Sequence, residues 1–225
     1  MLDCLKNFIL YIIPCVIILL IVYKFFNVEK YIFRKLLHVV AFTCVAFMLF
    51  YAKSCIIACT TSIIIALVIY PILSYLEKYP LYNDIFVQKS KGEIKRSLLM
   101  LFFMFAFVTY VTWGLLDKAY LGFTVIVMWG VGDGFAALIG IPFGKHKIKK
   151  YHKSVEGSLA MFLSSFIVGI LSLHFYGQLE LLRCIIYALV CSLFACIVEL
   201  ISPSEIDTIS VPLIILILLV ILNRL

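Results

Sequence analysis

Apolar runs of about 16–24 residues recur along the whole chain, broken only by short charged segments. A run of that length crosses the hydrocarbon of a bilayer as an α-helix. The runs fall at about 8–26, 36–52, 54–76, 97–116, 119–141, 157–176, 181–201 and 208–223. They predict an all-α fold, a polytopic transmembrane helix bundle of seven or eight spans. Composition points the same way. Of the 225 residues 65% are hydrophobic, against roughly half in soluble domains, and mean hydropathy is +1.16. One transmembrane domain over residues 1–225 accounts for the length, with no room for a separate soluble domain.

Phe25, Phe26, Asn27 and Val28 follow the first run where a cleavage site would need small residues. The run therefore reads as a retained helix. The eight cysteines form no Cys-x-x-Cys pair and lie almost entirely in apolar runs, so they read as small packing residues. Charge is distributed unequally. The segments 24–35, 77–96 and 142–155 hold four, five and five of the 19 Lys and Arg. As alternate loops they fall on one face, and such a bias marks the cytoplasmic side. The amino terminus is expected outside. The net charge of +7 serves topology and attraction to anionic membrane lipids. There is no nucleic-acid motif and no internal repeat, and the oligomeric state is unknown from sequence.

Asp133 is the most demanding residue. Its carboxylate lies deep in the fifth apolar run, where an ionised group needs a metal, a cation or a polyphosphate to compensate it. Gly130, Gly132 and Gly134 surround it, and Gly140 and Gly144 follow. Glycine lets a backbone approach a ligand closely. The plainer use, helix packing through small residues, leaves an Asp among three glycines unexplained. Next come Lys145, Lys147, Lys149, Lys150 and Lys153, interleaved with His146 and His152. Lysine suits phosphate as a point charge. Ser154 then opens a helix, with Gly157 and Ser158 behind it. A serine there caps free N–H groups, and those groups also bind anions. A Gly- and Lys-rich turn feeding a helix start suits a polyphosphate, although it is not a Walker A loop.

Glu156 can bind metal, act as a base or complement the helix dipole. Arg34 and His38 share a helix face at i, i+4 beside Lys35, an arrangement suited to phosphate or a lipid headgroup. Glu199 and Asp207 can join Asp133 as a carboxylate set. Mg²⁺ commonly binds through one or two carboxylates plus substrate phosphates.

Four blocks now carry a resemblance. They are Arg34-Lys35-x-x-His38, Gly92-Glu93-x-x-Arg96, Gly132-Asp133-Gly134-x-Ala136-Ala137-x-x-Gly140-x-x-x-Gly144-Lys145, and Lys153-Ser154-x-Glu156-Gly157-Ser158. Together they resemble the polyprenol kinase family, which includes dolichol kinase, phytol kinase and the fungal-type diacylglycerol kinase. The tail Glu199…Asp207-Thr208-x-x-Val211-Pro212 is similar to that family's late acidic segment. The resemblance covers most of residues 34–212. It implies a multi-span enzyme that phosphorylates a lipid alcohol, usually with CTP as donor, and it makes Arg34, Lys35, Asp133 and Gly140 the positions expected to be essential.

On that reading Asp133 holds Mg²⁺, with Asp207 or Glu199 assisting. Gly132, Gly134, Gly140, Gly144, Lys145, Lys153, Ser154 and Gly157 line the nucleotide. Arg34 and Lys35 meet the transferred phosphoryl group on the cytoplasmic side, and Asp133, Glu156 or His38 orients or deprotonates the lipid hydroxyl. Two other readings stay open. One is nucleotidyl transfer of the phosphatidate cytidylyltransferase type, whose signature also runs Asp, Gly-x-x-x-Gly-Lys, Lys-Ser/Thr-x-Glu-Gly. The other is a small transporter built on a helix broken around 130–144.

Overall fold

A computed structural model describes residues 2–26, 28–80, 82, 88, 92–148, 153–203 and 206–224. Lys89, Lys91, Lys149, Lys150, His152 and Glu205 lie outside the described residues. Among the described residues there are eight helices: α1 (Leu2–Phe25), α2 (Lys30–Tyr51), α3 (Cys55–Leu76), α4 (Glu93–Thr109), α5 (Ala119–Gly140), α6 (Val155–Leu171), α7 (Leu181–Ile201) and α8 (Asp207–Leu222). The first seven, counting the π-helical turns that extend α4 to Leu115 and α6 to Tyr176, are long and apolar enough to span a membrane. The last has 16 residues and is shorter. The chain is a multi-pass membrane protein.

Several helices begin before the apolar runs do. Those expected at 8, 36 and 97 start at Leu2, Lys30 and Glu93. Polar residues prolong a spanning helix past the hydrocarbon because their heads reach water. The basic segment 24–35, expected as a loop, is therefore mostly helix: Lys24 lies in the last turn of α1, and Lys30, Arg34 and Lys35 belong to α2. The segment 77–96 likewise begins at the α3 cap and ends inside α4. The helix break expected around 130–144 is absent over its first part, since α5 continues through Gly130, Gly132 and Gly134 to Gly140. In apolar surroundings an unbroken helix satisfies its own backbone. Sequence reasoning also missed a two-residue antiparallel hairpin pairing Lys147 with Ser154 and Ile148 with Lys153.

The chain divides into two compact units, residues 1–107 and 108–225. The first is built on aromatic packing. Phe42, Phe102 and Phe105 are almost fully buried, and Phe105 meets Phe42 and Phe102 edge-on at centroid distances of 5.1 and 5.8 Å. Such T-shaped contacts match the ring quadrupoles. Here α1 packs on α2, and most of its outer side chains are exposed, as lipid-facing residues are.

The second unit is built on small residues. Ser165 Oγ donates to the Met128 carbonyl at 2.9 Å, across from Gly132. Gly140 on α5 and Gly157 on α6 touch backbone to backbone: a Cβ on either would stand 3.0 Å from the other's Cα. Close approach of this kind is what holds helices together where lipid removes the hydrophobic driving force. Gly132, Gly140 and Gly157, read as ligand contacts in sequence, thus also pack α5 against α6.

Candidate functional site

Four chain segments meet at one end of the second unit: the end of α5, the hairpin with the start of α6, the end of α7, and the start of α8. The last carbonyls of a helix have no intrahelical donor. At the end of α5 the Gly140 carbonyl accepts from Ser154 Oγ at 3.2 Å and from Lys147 Nζ at 3.4 Å. Ser154 is the expected cap of α6, and its Oγ accepts the Gly157 N–H at 3.2 Å. It is buried, with Gly140 and Gly144 both close around it. Ser154→Ala removes the cap and leaves the Gly157 N–H unanswered. The expected loss is about 1 kcal/mol, read as a lower melting midpoint in detergent.

The start of α6 differs from the open anion cradle expected of it. The Val155 N–H donates to the His146 carbonyl at 3.1 Å, and the Gly157 N–H is held by Ser154. Glu156, expected as a metal ligand, base or dipole partner, closes the hairpin. Its two carboxylate oxygens accept the His146 N–H at 3.1 and 3.3 Å, and Oε1 lies 2.7 Å from His146 Nδ1. Lys145 and Lys147 are exposed on this hairpin.

Lys153 turns the other way, toward the acids. Its Nζ lies 2.7 Å from Glu199 Oε1 and 4.0 Å from Asp207 Oδ2, and it also donates to the Glu199 carbonyl oxygen. Proline explains that last bond. In a continuing helix the Glu199 carbonyl would receive the N–H of residue 203, but residue 203 is Pro and has none. The turn after it is tied by Ile206 and Asp207 N–H bonds to the Pro203 carbonyl and by Ser202 Oγ against Ser210 Oγ at 2.8 Å. Glu199 is buried, and Asp207 and Asp133 are half-buried. The charges of Asp133 and Asp207 both bear on Glu199. Glu199 and Asp207, two members of the expected carboxylate set, thus share the Lys153 ammonium. Among the described residues no three His, Cys, Asp or Glu side chains converge tightly enough to hold a metal ion by themselves. A divalent ion held here needs phosphate oxygens or water to complete its shell.

The first unit carries its own polar cluster, where α2 begins, α3 ends and α4 begins. Arg34 Nη1 pairs with Glu93 Oε1 at 3.5 Å, and Lys95 Nζ with Glu77 Oε2 at 2.7 Å. Gly92 precedes α4 at φ +78°, in the left-handed region that favours glycine. Lys35 and His38 are half-buried, and the His38 ring packs on Phe42 at 4.6 Å. Glu77 escaped the sequence reading, and Glu93 entered it only as part of a motif. Their partners lie 18 and 59 residues away, and no periodicity links such pairs.

The class this defines is a multi-pass helical membrane protein with a lysine–carboxylate cluster at the ends of its helices. Comparison with known proteins narrows it. An uncharacterized protein of Methanocaldococcus jannaschii is 30% identical over 176 residues, which cover 77% of this chain and 83% of that one. The probable phytol kinase 2, chloroplastic, of Glycine max is 30% identical over 142 residues, 59% of this chain and 46% of that one. The dolichol kinase sec59 of Schizosaccharomyces pombe is 46% identical over 43 residues, 19% of this chain and 8% of that one. The match therefore spans less than half the length of either kinase-named relative. No family model and no solved structure matches. The chain belongs to the same family as the M. jannaschii protein, and over part of its length it is similar to proteins named phytol kinase and dolichol kinase.

Proposed function

We propose that the chain transfers the terminal phosphoryl group of a nucleotide, CTP by family resemblance, to the hydroxyl of a lipid alcohol at the cytoplasmic face. One observation carries the reading: Asp133, an acid inside the apolar helix α5, lies about two turns before the Gly140 end, where the hairpin and its lysines gather. Phosphoryl transfer asks a protein for positioning and charge neutralisation rather than covalent chemistry. Asp133 would hold Mg²⁺ with the help of donor phosphates, and the ion would supply charge neutralisation there. Lys145 and Lys147 draw the triphosphate to the hairpin. Glu156 shapes the hairpin through His146, which leaves Asp133 to orient the hydroxyl. The relatives' names support a lipid alcohol as acceptor, a phytol or a dolichol in their own cases.

The test is a labelling experiment on purified protein with farnesol, phytol, a polyprenol and diacylglycerol as acceptors. CTP labelled at the γ-phosphate should mark one of these lipids, and α-labelled CTP should mark none. Transfer of the α-label to a phosphatidate acceptor would make the protein a nucleotidyl transferase instead. Replacing CTP by ATP, GTP or UTP decides the donor.

A further inference from the structure

Lys153 stands in the motif read as lining the nucleotide, yet its ammonium is occupied elsewhere. A lysine ammonium has three donors. One goes to Glu199 Oε1 at 2.7 Å and one to the Glu199 carbonyl that Pro203 leaves without a partner. The Asp207 carboxylate lies 4.0 Å away, at ion-pair distance. The lysine side chain is 21% exposed and the Glu199 side chain 10%, so the pair is mostly shielded from water. Two of its three donors are spent on Glu199, and a phosphate at this ammonium would have to compete with two carboxylates. The hairpin meanwhile holds Lys145 and Lys147 exposed.

We infer that Lys153 is a positioning residue. It fastens the hairpin strand Lys153–Ser154 to the end of α7 and the start of α8, holds Glu199 and Asp207 in place, and makes no contact with nucleotide phosphates. Phosphate contact falls to Lys145 and Lys147. The assignment of a catalytic consequence rests on the kinase reading; the assignment of the clasp does not.

Two measurements test it. The first is thermal unfolding in detergent. Removing one member of a shielded ion pair strands the other, whereas removing both does not. Lys153→Met should lower the midpoint by roughly 10 °C, and the double variant Lys153→Met/Glu199→Gln should recover at least half of that loss. Lys153→Arg, which keeps the charge, should stay within a few degrees of wild type, and it serves if the Met variant does not assemble. A Lys153→Met midpoint equal to wild type, or a double variant no better than the single, overturns the clasp.

The second measurement splits KM from kcat for CTP. Lys153→Met should lower kcat tenfold or more and leave KM for CTP within about threefold. Lys147→Met should raise KM for CTP and lower the melting midpoint by far less than Lys153→Met does, since its one bond to the Gly140 carbonyl is long and exposed. A tenfold rise in KM for CTP on Lys153→Met, with kcat held, would make Lys153 a phosphate ligand. If no lipid alcohol is phosphorylated at all, the kinase reading fails, and the melting data alone decide the role of Lys153.

Discussion

Asp133→Asn is expected to lower lipid phosphorylation by on the order of a thousandfold and to leave the melting midpoint equal to or above that of wild type. The substitution keeps shape and size and removes one negative charge. Asp133 is half-buried on α5 beside Gly132, which packs against Ser165 and Met161 of α6, so the helix contacts do not depend on its ionisation. Asparagine keeps those contacts while removing the anchor proposed for the metal–nucleotide. Activity should therefore fall with no fall in stability, which a residue of purely structural value would not show. Initial rates with γ-labelled CTP, measured beside melting curves of the same preparation, give both numbers. Retention of full activity would remove Asp133 from the site.

Gly157→Ala is expected to act through the opposite route. A Cβ at this position would stand 2.8 Å from the Ala136 carbonyl oxygen and 3.0 Å from the Gly140 Cα. Both are backbone atoms of α5, so no side-chain rotation relieves the clash, and the two helices must part. Overpacking of this kind costs about 1–3 kcal/mol, or roughly 5 °C in a protein of this size. Gly169→Ala is the control. There the added methyl meets the Met128 Sδ at 3.0 Å and Cε at 3.2 Å, and it also meets the Ala188 Cβ at 3.0 Å. Methionine re-packs readily, so the loss should be smaller. Equal midpoints for Gly157→Ala and wild type would mean that α5 and α6 have slack at this crossing.

The spans were legible because length and hydropathy are properties of contiguous sequence. The helix ends were less so: a hydropathy window stops at Lys30 or Glu93, while the backbone continues through them. Asp133, Glu199 and Asp207 were readable one at a time, since each is an acid at the wrong hydropathy. Glu199 and Asp207 meet at the Lys153 ammonium. The partner among them was not foreseen, because Lys153 reaches Glu199 across 46 residues of chain. A signal did exist: Pro203, four residues beyond Glu199, announces a carbonyl in need of a donor. For Glu156 there was none, as its partner His146 is brought near by a hairpin only two residues long on each side.

The brevity of α8 bears on where the chemistry happens. Sixteen helical residues measure about 24 Å, against roughly 30 Å of hydrocarbon. A membrane meets so short a segment by pinching inward around it. On the proposed reading, such thinning would bring Asp207, in the first turn of α8, toward the depth of a lipid alcohol's hydroxyl, and the acceptor would not have to be lifted out of the bilayer.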